Sequence, residues 1–253
     1  MCASSAFAQQ ELPESIVLPP PIVDVASQFA SEASVPAPSA PIRRITLRTE
    51  VGAVKLTEAL IYERRANGLW DVFKQSPTSA VTTSDRMLTA RGLVALVEAR
   101  RMVFAPARAA GALSLLVQGD ATVHNQEAVT QQMAGNLSEM LEPKEGVPFA
   151  VQTAMDIHGI TTGSGRKPST LQLKRQTDMN CTVGASKSAA ALYAGLKGTY
   201  LPVSCQLLVN GESKSREYAY LEASHLYLML TQTDPKVANF NTASEILSVE
   251  YLR

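Results

Sequence analysis

The sequence predicts an α+β fold: mainly antiparallel sheet with two or three packed helices, preceded by a disordered N-terminal tether. Three observations predict it. Apolar and polar residues alternate through the carboxyl half, as in strands with one buried face. Two Asn-Gly pairs, Asn67-Gly68 and Asn210-Gly211, mark tight hairpin turns, because both residue types tolerate positive φ. Apolar residues at three-to-four spacing over 85–101 and 125–141 fit helix faces instead.

The chain opens with Ala6-Phe7-Ala8 before a polar Gln9, an A-x-A pattern whose small residues suit a signal peptidase. Residues 1–8 are expected to be the tail of a signal peptide. Residues 9–41 carry Pro19-Pro20-Pro21, Pro36, Pro38 and Pro41 among Ala and Ser. Proline removes amide donors, and few side chains there can offset the entropy of ordering. This stretch is expected to be a disordered linker, with the folded domain over 42–253 and a subdivision near 145 left open.

Ile45, Leu47 and Thr49 alternate with polar neighbours, so 43–50 reads as a strand. A hairpin over 54–73 follows, ending in the apolar run Leu69-Trp70-Asp71-Val72-Phe73, and 74–84 reads as a loop. Ser84 suits the N-cap of a helix over 85–101, where Ala90, Leu93, Val94 and Val97 give the stripe and Arg86, Arg91, Arg100 and Arg101 decorate it. Ala112 to Val117 reads as a short buried strand. Val129, Met133, Leu137 and Leu141 recur every fourth residue, predicting a helix from Asn125 to Leu141 that Pro143 stops. Strands are expected from Phe149 to Ile157, from Leu171 toward Val183, and from Val203 to Val209. The last turns back at Asn210-Gly211 into a strand carrying Tyr218 and Tyr220. A short helix over 189–196 and a terminal strand from Ile246 to Tyr251 complete the reading.

Cys181 and Cys205 both sit on apolar strand faces flanking that short helix, so the chain leaves and returns between them. In an oxidising compartment they are expected to form a structural disulfide. No C-x-x-C spacing points to redox chemistry. The A-x-A site and the cysteine pair together predict a periplasmic or secreted location.

Few residues offer chemistry. Asp156 and His158 are an i,i+2 pair on one strand face and could serve as catalytic acid–base groups. The adjacent Gly163, Gly165, Arg166 and Lys167 could meet an anion through backbone amides and cationic side chains, although the phosphate-loop spacing is lacking. No cysteine–histidine cluster at zinc spacing and no H-E-x-x-H occurs, so no metal and no cofactor are expected. The tyrosines at 218, 220 and 227 suit half-buried sheet positions or an interface. Lys plus Arg and Asp plus Glu both count 23, so the sequence lacks the basic excess that nucleic-acid binding needs. No apolar run reaches the length of a membrane helix. The predicted function is an exported, non-enzymatic domain that binds protein or self-assembles. The alternative is an exported hydrolase with its site near Asp156 and His158.

Overall fold

Side chains alternate between two environments along most of the chain from Ile42 to Tyr251, and strands form on that pattern. In the computed structural model the described residues are 23, 37–65, 68–78, 81–104, 122–163, 167–237 and 241–252. The expected signal-peptide tail, most of the expected linker, Asn67 and the expected strand at Ala112–Val117 lie outside them. The strands are β1 (Ile42–Val51), β2 (Val54–Arg64), β3 (Trp70–Pro77), β4 (Val81–Ala90), β5 (Val94–Phe104), β6 (Thr122–Gly135), β7 (Phe149–Thr162) and β8 (Ser169–Val183). After a two-residue β9 (Lys187–Ser188) come β10 (Thr199–Val209), β11 (Glu212–Leu221), β12 (Leu226–Thr233) and β13 (Thr242–Tyr251).

Each long strand pairs antiparallel with the next, β8 pairs with β10, and β13 pairs with β1. The twelve long strands therefore close into one antiparallel barrel. This overturns the expected α+β fold, and each misread helix has a physical cause. Over 85–101 the chain makes a β4–β5 hairpin turned by Arg91 and Gly92, at φ 54° and 81°. The turn brings Ala90, Leu93 and Val94 together and so imitates a helical stripe. Over 125–135 the chain belongs to β6, with a bulge between Thr130 and Gln132. The bulge shifts the period-two pattern by one residue, which sets Ala128, Thr130 and Met133 on buried positions and mimics a 3.6 period. Only one turn of helix, α1 (Leu137–Leu141), follows it, and 189–196 holds a 3-10 turn at Ala189–Ala191. The expected loop at 74–84 is largely strand, since β3 runs to Pro77 and β4 starts at Val81.

Strand direction gives the barrel two unlike ends. The mouth carries the β1–β2 and β10–β11 turns and the strand ends that lead from β3 to β4, β5 to β6, β7 to β8 and β12 to β13. At Asn210-Gly211 both residues have positive φ, 48° and 84°, as the sequence required of a two-residue turn. The opposite end is a floor. There the amide of Tyr227 on β12 donates to the carbonyl of Arg91, and β12 lies six strands from β5 in either direction round the barrel. The Arg91–Gly92 turn thus crosses the end of the barrel. Helix α1 packs beside it, with Met140 and Leu141 buried, and the hydroxyls of Tyr227 and Tyr220 donate to their carbonyls at 2.7 and 3.3 Å.

The segment between β8 and β10 seals one flank. Ala189, Leu196 and Tyr200 pack with Leu226, Leu228 and Ile246, and the Lys197 amide donates to the Tyr251 hydroxyl. This segment covers strands β12 and β13, which pair only at the mouth through Thr231 with Ala243 and Gln232 with Thr242. Across its root, Cys181 and Cys205 are register partners and form the expected disulfide, with Cα atoms 4.1 Å apart. On the outer wall, exposed ion pairs join Arg48 to Glu245 and Arg44 to Glu250. No helix among the described residues is long and apolar enough to cross a membrane.

Candidate functional site

Inside the barrel lies a cavity of about 460 Å³. Its lower half is apolar. Leu93 and Val94 come from the floor turn, Val151 and Met179 from β7 and β8, and Tyr218 and Tyr227 from β11 and β12. The Tyr218, Tyr220 and Phe149 rings surround Tyr227, with centroids 6.3, 4.8 and 6.5 Å from it. Burial pushes the Tyr227 phenol above its ordinary value and Tyr220 up to about 12, so both remain neutral hydrogen-bond donors. Leu47, Leu60, Tyr62, Val72 and Met87 line the β1–β4 wall.

Toward the mouth the lining turns charged, with Glu58, Lys74, Asp85, Glu98, Arg100, Arg175, Lys214 and Arg216. These residues share the inward face with apolar neighbours: register pairs Leu60 with Lys74, Lys74 with Asp85, and Asp85 with Arg100. Glu58 is the most elaborately held. It accepts from Thr49 and Ser76, each at 2.7 Å, and meets the Lys74 ammonium at 2.7 Å. Burial works to raise its pKa, but Lys74 and the two hydroxyls outweigh burial and hold it below the usual range. Arg100 lies 2.8 Å from Asp85 and 3.0 Å from Glu98. Burial opposes its charge, yet the Asp85 contact prevails and holds its pKa above the ordinary value. Arg175 is different. Its guanidinium donates to the Met155 sulfur, and its nearest carboxylate, Glu98, is 4.0 Å away. Burial and the charges of Arg216 and Arg100 pull its pKa down, against Glu98.

The residues picked from sequence stand elsewhere. Asp156 and His158 are on β7 but do not line the cavity. In register, Asp156 faces Val129 and Lys174, and His158 faces Glu127 and Gln172. Among the described residues neither makes a side-chain hydrogen bond or ion pair. Gly163, at φ 121°, and exposed Lys167 belong to the β7–β8 connection at the mouth, while Gly165 and Arg166 lie outside the described residues. No group of three His, Cys, Asp or Glu among the described residues could hold a metal.

Sequence reasoning missed the lumen charges. The available signal was a charged residue on an otherwise apolar strand face: Arg175 in line with Leu171, Leu173 and Met179, and Arg216 two residues before Tyr218. No family model, no curated protein and no solved structure matches the chain.

Proposed function

We propose that this chain is a non-enzymatic binding protein of an oxidising, exported compartment, and that it holds a small amphipathic molecule inside the barrel. One observation carries the reading: the barrel cavity, closed by the crossing turn at one end, grades from apolar floor to charged mouth. Its volume falls within the range of about 300–1,000 Å³ typical of small-molecule sites. Barrels wider than eight strands commonly enclose such cavities. The disulfide supports an oxidising location.

The test is titration of the full chain with N-phenyl-1-naphthylamine, a neutral apolar fluorophore. Saturable one-to-one binding is expected, and Leu207→Trp, which fills the lumen from β10, should abolish it while leaving the strand circular dichroism intact. Linear, non-saturating uptake by the folded chain would remove the reading.

A second reading, contact with a protein partner or another copy, rests on the mouth. β10 stops pairing with β8 at Val209 with Thr177, yet β8 continues to Ser169. The projecting β7–β8 hairpin leaves Ile160, Leu171 and Leu173 about half exposed. An apolar lip beside an unpaired strand edge suits such a contact. Light scattering decides it: a dimer that becomes monomeric with Leu171→Ser and Leu173→Ser supports the contact, and a strict monomer removes self-association.

A further inference from the structure

The cations of the lumen are not equally satisfied. Lys74 is matched by Glu58, Arg100 by Asp85 and Glu98, and Lys214 by Asp234 at 3.1 Å. Two guanidiniums remain. Arg175 has a thioether sulfur, a weak acceptor, as its hydrogen-bond partner, and Glu98 already serves Arg100 at closer range. Arg216 donates to the amide oxygen of Gln232 at 2.7 Å and to the Tyr218 hydroxyl at 3.4 Å, both neutral. Neither arginine has a carboxylate closer than 4.0 Å among the described residues. They stand on β8 and β11, the strands on either side of β10, and both line the cavity. Partly desolvated positive charge with only neutral or distant partners is costly, and an anion placed between the two would reduce that cost.

Resting on the lumen-binding reading, we propose that the bound molecule is an apolar chain ending in a carboxylate or phosphate, its head held by Arg175 and Arg216. The planar forks of guanidinium match both heads bidentately. From that level Met179, Val151, Tyr218 and Tyr227 lead down to Leu93 at the floor, so the chain runs away from the mouth. A neutral or cationic head would bring neither arginine a close anionic partner.

The experiment is displacement of N-phenyl-1-naphthylamine from the full chain at pH 8 by laurate, dodecyl phosphate, dodecanol and dodecyltrimethylammonium, which share one chain and differ in head. Laurate and dodecyl phosphate should compete about tenfold more strongly than dodecanol, as expected for hydrogen bonds to charged groups. Inorganic phosphate should not displace the probe. Arg175→Gln and Arg216→Gln should each weaken laurate and dodecyl phosphate while leaving dodecanol unchanged. Equal competition by laurate and dodecanol on the unaltered chain overturns the head-group assignment, whether or not the variants fold, and leaves lumen binding standing. Displacement by inorganic phosphate alone also overturns it, because the site would then not require a chain. Failure of the probe itself to bind removes both readings.

Discussion

The amide of Tyr227 donates to the carbonyl of Arg91 at 2.7 Å, tying the β4–β5 turn to the strand diametrically across the barrel. A cylinder of twelve strands would otherwise be open at both ends. This one bond, with α1 beside it, makes the lumen a cup.

The crossing depends on Gly92. Its φ is 81°, and a Cβ there would stand 2.8 Å from the Tyr227 carbonyl oxygen and 3.0 Å from Leu226 Cδ1. Gly92→Ala therefore combines backbone strain with a clash against main chain. A loss of about 2 kcal/mol or more is expected, read as a melting midpoint lower by about 4 °C or more. A variant as stable as the parent would show that the turn does not hold the floor. In the same variant the apolar probe should bind more weakly, because the floor turn carries Leu93.

Cutting the Cys181–Cys205 bridge should weaken the fold without dissolving it. The bridge closes a loop of sequence separation 24, which in the chain-entropy account is worth about 3 kcal/mol. Cys181→Ser with Cys205→Ser should lower the midpoint by about 6–12 °C while the register bonds from Val203 to Val209 persist. Thiol counting on the unfolded parent chain should give one reactive group before reduction and three after, since the sequence holds three cysteines. Three before reduction would show that the bridge is absent.

Stability should fall as the solution is acidified, in two separate ranges. His225 sits in the β11–β12 turn at φ 50°; burial, then the charges of Arg91 and Arg64, lower its pKa from 6.5. The unfolded chain takes up that proton first, so the folded state loses ground as pH drops below 6.5. His225→Asn, which keeps tolerance of positive φ, should flatten the melting midpoint between pH 7.5 and the onset of carboxylate titration. Glu58 acts lower. Its folded pKa is depressed from 4.5, so its contribution is present above that value and lost as pH falls further. Glu58→Gln should reduce the second slope and leave the first.

What the sequence shows and what it hides follow from period. Phe149, Val151, Met155 and Ile157 alternate without interruption, and β7 reads directly from them. Asn210-Gly211 and the paired cysteines were likewise legible, because a turn and a bridge are local or chemically distinctive. β6 was not, because its bulge breaks the alternation at the one place where the register must shift. Arg91 concealed a turn, since arginine is uncommon at positive φ and Gly92 alone does not announce a hairpin. The lumen was hidden for another reason. Alternation tells one face of a strand from the other, but not solvent from a polar interior, so it does not by itself assign Lys74, Arg175 and Arg216 to a lumen. Closure of β1 on β13 joins residues some two hundred positions apart, beyond the reach of any local pattern.

The pairing of Ile42 with Tyr251, and of the Leu252 amide with the Pro41 carbonyl at 2.9 Å, has a practical corollary. Polypeptide enters and leaves the barrel side by side on the sealed side of the cup. A dye, an affinity handle or an immobilising surface attached at residue 41 or at Leu252 would leave the rim unobstructed. Two such attachments would lie close enough together to report on one another without either touching the guest.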